Sequence, residues 1–254
     1  MLLEGKKALI FGVANNKSIA WGIAQAFKQA GASLAFNYLG DAIKKRVDPL
    51  AEEIGADFTF QCDVSSDEQI AESAKLVEEK WGNVDILVHS VAFANREDLQ
   101  GEFIATSRAG FHLALDISAY SLVALSRAFA PMMKEGSSIM AMTYYASNKI
   151  MPFYNVMAVA KAALECEVRY LANDLGPKGI RVNAISAGPV KTLAASAVHS
   201  LKGALGKIEA NAPLRRNITP LDVGGTATYL ASPLSSAVTG QVVFVDSGIS
   251  LVMC

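Results

Sequence analysis

Seven short apolar runs, at 7–11, 33–38, 58–64, 86–91, 138–143, 180–186 and 242–246, recur along the chain with helical patterns between them. Runs of this length are strands rather than helices, and strands that alternate with helices pair in parallel because each helix carries the chain back across the sheet. The expected fold is α/β: a single-domain, doubly wound sheet of seven parallel strands with helices on both faces. With 254 residues, 52% of them hydrophobic, the chain can bury one large core and needs no second. A ligand of such a sheet lies across the carboxyl ends of its strands, where Gly12, Asp63, Ser90, Thr143 and Ser186 fall.

The first unit carries the most chemistry. Lys7-Ala-Leu-Ile-Phe11 passes through Gly12-Val-Ala-Asn-Asn-Lys-Ser18-Ile-Ala-Trp-Gly22 into a helical stretch ending near Gly31. Gly12 permits a tight turn at positive φ, Ser18 can bind a phosphate oxygen or cap the helix, and Gly22 allows the helix to pack closely on the strand. A helix start offers free N–H groups and about half a positive charge, which suits a pyrophosphate and makes the unit Rossmann-like. The spacing departs from G-x-G-x-x-G, and the same residues also fit a plain turn between strand and helix.

Two tyrosine-lysine pairs compete for the chemistry. Tyr145 and Lys149 are separated by three residues, Tyr154 and Lys161 by six. The first pair runs toward Pro152, which disfavours helix just before it, so those side chains share no rigid element. From Pro152 onward Val156, Met157, Ala160, Leu164, Val168, Leu171 and Leu175 follow a helical period closed by Gly176-Pro177, with Pro152 placed to sit at the helix entrance. Seven residues turn about 700° and rise about 10.5 Å, so Tyr154 and Lys161 come back to nearly one face and can serve one pocket.

Other classes find little support. The formal charge is −1, and Lys44-Lys45-Arg46 reads as a solvated helix face, so no nucleic acid partner is expected. No apolar run approaches a membrane span, and Met1-Leu-Leu-Glu-Gly-Lys-Lys leads straight into the first strand without a signal peptide, so no membrane association and a cytoplasmic setting are expected. Cys62, Cys166 and Cys254, and His89, His112 and His199, are scattered without metal-ligand spacing. No metal site is expected.

Taken together, Gly12-Val-Ala-x-x-x-Ser18-Ile-Ala-Trp-Gly22, Gln61-Cys-Asp63-Val64, His89-Ser90-Val-Ala-Phe93-Ala94, the stretch 152–161 and Arg181-Val-Asn-Ala-Ile-Ser-Ala-Gly-Pro189-Val-Lys-Thr-Leu-Ala194 resemble a bacterial-type enoyl-acyl-carrier-protein reductase. That family is a divergent branch of the short-chain dehydrogenase superfamily, and the resemblance runs nearly end to end. The usual short-chain spacing would put a tyrosine where this chain has Met157; the wider gap separates this branch from ordinary carbonyl and alcohol reductases.

The resemblance implies that Gly12, Ser18 and Ile19 meet the phosphates of a nicotinamide dinucleotide, that Asp63 and Val64 flank its adenine, and that Ser90 and Val91 lie along ribose and nicotinamide. Leu39 stands near the adenosine, while Val190, Lys191, Thr192, Leu193 and Ala194 close over the nicotinamide and pyrophosphate. Lys161 binds ribose hydroxyls, and its charge favours a polarised phenol nearby. Tyr154 is aimed at the thioester oxygen of a trans-2-enoyl group; Tyr144 is a second active-site tyrosine that positions substrate; Ala94 and Met157 complete the substrate site. Strand alternation sends Tyr144 and Tyr145 to opposite faces, leaving Tyr145 to packing. Leu39-Gly40-Asp41 holds no arginine or lysine for a 2′-phosphate, which favours NADH over NADPH. The segment 194–207 is an expected mobile lid whose His199, Lys202 and Lys207 could dock acidic acyl carrier protein, the carrier of the substrate. Apolar surfaces at 249–253, 120–133 and 156–175 resemble those the superfamily buries in a homotetramer. Two alternatives stay open: an ordinary carbonyl reductase using Tyr145 and Lys149, and a noncatalytic nucleotide sensor on the same fold.

Overall fold

The computed structural model describes residues 1–190, 192 and 201–252. Strands β1 (Lys7–Phe11), β2 (Ser33–Tyr38), β3 (Phe58–Gln61), β4 (Ile86–His89), β5 (Ser138–Thr143), β6 (Arg181–Ala187) and β7 (Val242–Val245) form one sheet in the order β3-β2-β1-β4-β5-β6-β7. Every neighbouring pair is parallel. The helices are α1 (Ile19–Gln29), α2 (Asp41–Ile54), α3 (Asp67–Trp81), α4 (Arg108–Leu115), α5 (Ser121–Phe129), α6 (Asn155–Leu175), α7 (Leu201–Asn211), α8 (Pro220–Ala231) and α9 (Ile249–Val252).

Period-two alternation builds a core on each side of the sheet. Ala8, Ile10, Leu34, Phe36, Met140 and Ile185 pack against α1, α2 and α8. Leu9, Phe11, Leu87, Ile139 and Val182 pack against α3, α5 and α6. All seven expected strands form, but the runs at 58–64 and 86–91 leave the sheet at Gln61 and His89. Asp63, Val64, Ser90 and Val91 are thereby released into loops beyond the carboxyl edge, where a ligand can reach them. β1 and β4 are neighbours whose following helices go to opposite sides, and Phe11 pairs with His89 in register. Their two loops start level and open the crevice typical of such a switch point.

Gly22 does not face β1 as expected; it faces α8. A Cβ there would lie 2.4 Å from the Pro220 carbonyl carbon, and one on Gly224 would lie 2.6 Å from the Gly22 carbonyl oxygen. The two glycines let α1 and α8 cross at backbone contact. The entrance of α8 is held by a capping box between Thr219 and Asp222.

The expectation that no apolar stretch approaches a membrane span is corrected. The helical run Arg108–Met132, which joins α4 and α5 through a π turn at Asp116–Tyr120, has 25 residues, and its most apolar 18-residue window has a mean hydropathy of 1.3, enough by length and composition to cross a bilayer. Its most apolar window is 56% buried, and Ala114, Leu122, Leu125 and Phe129 on its inner side belong to the core. The hydropathy comes from packing against the sheet and α6.

Candidate active site

The loop after β1 is shaped by two features. Gly12 holds φ +105°, and a Cβ on it would sit 2.1 Å from the Ser90 carbonyl oxygen, so only glycine lets the two strand ends approach. Its N–H donates to Asn37 Oδ1 (3.0 Å), and Asn37 Nδ2 donates to the Cys62 carbonyl (3.1 Å). One buried amide thus stitches the ends of β1, β2 and β3 beneath the loop. Sequence reading passed over Asn37; the available signal was a polar residue inside an apolar strand, which must find partners when buried.

Ser18 occupies the N-cap position of α1 but makes no capping bond. Its Oγ accepts from the N–H groups of Ala14 and Asn15, 3.1 Å each, and folds the loop back on itself. The N–H groups of Ile19 and Ala20 have no protein acceptor among the described residues, and the first turn of α1 contains no acid. This concentrates uncompensated donors and a positive helix end beside Gly12, and it fits a pyrophosphate.

On the adenine side, the Asp63 carboxylate accepts from Ser65 N–H (2.9 Å) and Oγ (2.7 Å), while Asp63 N–H donates to Gln69 Oε1 (2.9 Å). That ties the loop leading into α3, and Val64 is buried behind it. Leu39 is 56% exposed at the end of β2, available to a flat ligand. The Lys44 ammonium lies 5.6 Å from the Tyr38 ring centre, so one cation stands nearer this end than the sequence suggested. Ser90 N–H donates to the Phe11 carbonyl (3.0 Å), Val190 is buried, and Thr192 N–H reaches the Val190 carbonyl (2.8 Å). Lys191, Leu193 and Ala194, with residues 194–200 of the expected lid, lie outside the described residues.

Lys161 is the best-anchored of the expected catalytic groups. Only 4% exposed, it donates to the Met142 carbonyl at the end of β5 (2.9 Å). Burial pulls its pKa down to about 8, with Glu165 pushing the other way. Glu165, one turn along α6, is itself held by Thr143 Oγ1 (2.6 Å). The i,i+4 spacing of Lys161 and Glu165 was the readable sign of this pair. Nearby, His89 is wholly buried with Nε2 2.7 Å from Ser121 Oγ, which donates to the Ile117 carbonyl (2.7 Å). Because that serine's proton is already committed, the imidazole must donate through Nε2. Burial first, and Lys161 second, hold its pKa at about 3, so it is neutral.

Tyr154 does not lie within a helix that begins at Pro152. The helix starts at Asn155, and Tyr154 is its N-cap. Phe153 at φ 63° and Asn155 at φ 35° flank it in the left-handed region, which breaks continuous helix there. The rotation of an ideal helix therefore does not position the phenol; packing does. Tyr154 is half-buried, and its hydroxyl has no hydrogen-bond partner among the described residues. Burial raises its pKa. The phenol stays protonated, as a hydrogen-bond donor must.

Tyr144 and Tyr145 also differ from expectation. Tyr144 is extended, but Tyr145 opens a 3₁₀ turn, so strand alternation has already ended. Both rings turn to the same side, 4.3 Å apart, and the Tyr144 hydroxyl donates to the Tyr145 hydroxyl at 3.0 Å. On its other side Tyr144 meets Tyr154, ring to ring at 5.0 Å. Lys149, the lysine of the competing pair, is exposed and donates to the Ser250 carbonyl. It lines a separate cleft of 620 Å³ with Asp222, Phe244 and Asp246, which includes neither Tyr154 nor Lys161.

Two apolar clusters meet at the Tyr144–Tyr154 contact. Ala94, Tyr154 and Met157 pack together with Leu99, Ala114 and Val156, bringing three expected substrate residues into one place. Tyr144 packs with Tyr145, Met151, Ile208, Ala212 and Ile249, which adds α7 and α9 to the wall. The described surface is thus a phenol between two apolar walls, on the chain just before the helix that carries the buried Lys161.

Residues 12–250 match the family model described as Enoyl-(Acyl carrier protein) reductase. The chain is 51% identical over 251 residues to the NADH enoyl-acyl-carrier-protein reductase of Rickettsia prowazekii, covering 99% of this chain and 96% of the relative. A solved enoyl-acyl-carrier-protein reductase of Anaplasma phagocytophilum, in complex with NAD, superposes with a TM-score of 0.96 at 49% identity, covering 100% of this chain and 97% of that one. The Bacillus cereus enzyme, solved with NADP+ and an indole naphthyridinone, superposes with a TM-score of 0.98 at 46% identity, covering 100% of this chain and 99% of that one.

Proposed function

The chain belongs to the enoyl-acyl-carrier-protein reductase family, and from that premise we infer that it reduces the carbon-carbon double bond of trans-2-enoyl thioesters on acyl carrier protein with NADH. This is the last step of the fatty acid elongation cycle. The observation that carries the reading at residue level is a protonated Tyr154 phenol, without a hydrogen-bond partner among the described residues, between apolar walls, with Lys161 buried on the adjoining helix.

When bound, NADH supplies the hydride for the β-carbon. Gly12, Ser18 and Ile19, with the free N–H of Ala20, would hold its phosphates, Leu39, Asp63 and Val64 would border the adenosine, and Ser90, Val91, Lys161, Val190 and Thr192 would line the ribose and nicotinamide. Lys161 has one proton committed to Met142 and two left to donate. Tyr154 donates to the thioester oxygen on which negative charge collects; this bond strengthens as the charge grows and so lowers the barrier rather than merely binding substrate. Ala94, Met157 and Tyr144 orient the acyl group.

Absorbance of the reduced nicotinamide with crotonyl thioester tests this reading, and steady oxidation of NADH is the expected result. A 2′-phosphate gains no bidentate arginine at Leu39-Gly40-Asp41, so NADPH should be poorer by about 10-fold, a charge-assisted hydrogen bond being worth about that much. Equal rates would remove the cofactor preference alone, whereas no turnover with either would remove the function. Lys149→Ala should keep turnover within about two-fold, an exposed polar contact being worth little; a large loss would revive the carbonyl-reductase alternative.

A homotetramer in the cytoplasm, not bound to membrane, is part of the same proposal. Tyr120 and Tyr170, 43% and 70% exposed on the outer faces of the π turn and α6, support burial against a second copy. Free Cys62 and Cys166 suit a reducing compartment. The segment 194–207 is proposed as the lid.

A further inference from the structure

Tyr145 is the one phenol of the cluster left without a role by the reading above, and the inference that follows rests on that reading. It is 2% exposed, with its ring against Ile208, Ala212 and Ile249. A tyrosine used only to fill such a space brings a hydroxyl that must be satisfied in an apolar setting, which a phenylalanine would not. Here, among the described residues, the hydroxyl is satisfied by the Tyr144 hydroxyl 3.0 Å away. The three rings stand in sequence, with Tyr145 and Tyr144 4.3 Å apart and Tyr144 and Tyr154 5.0 Å apart. Either hydroxyl can donate to the other; with Tyr144 as donor, its proton is occupied by Tyr145 in the ligand-free chain.

We propose that Tyr145 is a positioning residue that holds the Tyr144 phenol in place and exchanges hydrogen-bond direction with it when an enoyl thioester binds. In the free enzyme Tyr144 O–H donates to the Tyr145 oxygen. With substrate present, Tyr145 rotates its own O–H to donate to the Tyr144 oxygen, and Tyr144 O–H turns to an oxygen of the acyl thioester. Each hydroxyl keeps its own proton, and no covalent bond forms or breaks. Accepting one hydrogen bond makes Tyr144 a stronger donor in the next, since linked hydroxyls polarise each other. Tyr145 touches α7 and α9 through Ile208, Ala212 and Ile249, so the exchange also joins the substrate site to the helix that follows 193–200.

Tyr145→Phe, Tyr144→Phe and the double variant test this as full-length enzyme with NADH and crotonyl thioester. Tyr145→Phe keeps the ring and should raise KM for the thioester about 2- to 10-fold, the range of one ordinary hydrogen bond, while KM for NADH and the melting temperature stay near the parent's. In the Tyr144→Phe background the same substitution should change nothing beyond about two-fold, because the hydroxyl it acts on is already gone. Unchanged kinetics in Tyr145→Phe overturn the proposal. Equal losses in both backgrounds overturn it too, since packing alone would give them. A parent enzyme inert to crotonyl thioester would first remove the assigned function and this role with it; an active parent with an unaffected Tyr145→Phe removes only the role.

Discussion

Tyr154→Phe is expected to lower kcat for crotonyl thioester by about 100- to 1000-fold while leaving the dissociation constant for NADH and the melting temperature almost where they were. Stability should hold because the hydroxyl has no partner among the described residues to leave stranded; the substitution removes a polar atom from a half-buried ring and opens no cavity. Cofactor binding should hold because the ring faces Ala94 and Met157 rather than the α1 loop. Catalysis should fail because the donor is needed most where charge develops on the thioester oxygen, and the Tyr144 hydroxyl, on a ring 5.0 Å away, orients the thioester without standing in the Tyr154 position. Burial raises the pKa of Tyr154 and also of Tyr144, so the rate should show no acceleration from phenolate formation on the alkaline side. Stopped-flow single turnover with NADH pre-bound separates the outcomes: a slowed hydride step with normal binding supports the assignment, and a turnover within a few-fold of the parent would falsify it.

The second large effect belongs to Lys161, and it has two opposite signs. Replacing it with methionine should weaken NADH binding by about 10- to 100-fold, the worth of charge-assisted hydrogen bonds to ribose, yet raise the melting temperature of the ligand-free enzyme by a few degrees. The gain arises because a buried ammonium is costly: its pKa falls from 10.5 to about 8, a desolvation cost on the order of 3 kcal/mol, against about 1 kcal/mol for the one hydrogen bond to Met142. Linkage supplies a check. Between about pH 8 and about 10.5 the unfolded chain keeps a proton on this lysine that the folded chain has released, so this group makes the fold more stable as pH rises through that window, and the methionine variant should lose that slope. Activity should move the other way, with kcat/KM falling above about pH 8 as the free enzyme loses the ammonium. Fluorescence titration with NADH and thermal melts across this range measure both; a methionine variant that melts lower and binds NADH normally would contradict the argument twice.

Both effects depend on a buried charge and a free phenol, and the chain alone announced the residue types but not those environments. Alternating apolar runs were sufficient for the seven strands and their parallel order, because the period of a buried strand and the need for a crossover helix are properties of local sequence. Gly12 was legible for a similar reason: glycine at a strand end announces a backbone that comes close to something, here Ser90. Tyr154, rather than Tyr145, packs with Ala94 and Met157.

Tertiary structure decided what those residues do to one another. Left-handed backbone at Phe153 and Asn155 sets the pose of Tyr154, a strain that helical periodicity does not encode. A 3₁₀ turn begins one residue after β5 closes, and that single residue brings Tyr145 beside Tyr144 rather than behind it. Asn37 joins three strand ends, and Glu165 meets Thr143 across 22 positions, only because the sheet brings distant segments level. Sequence by itself determined the elements and singled out candidate chemistry-bearing residues, since periodicity and residue type are local. Burial, hydrogen-bond direction and pKa depend on atoms supplied by the rest of the chain, so the fold alone settled them.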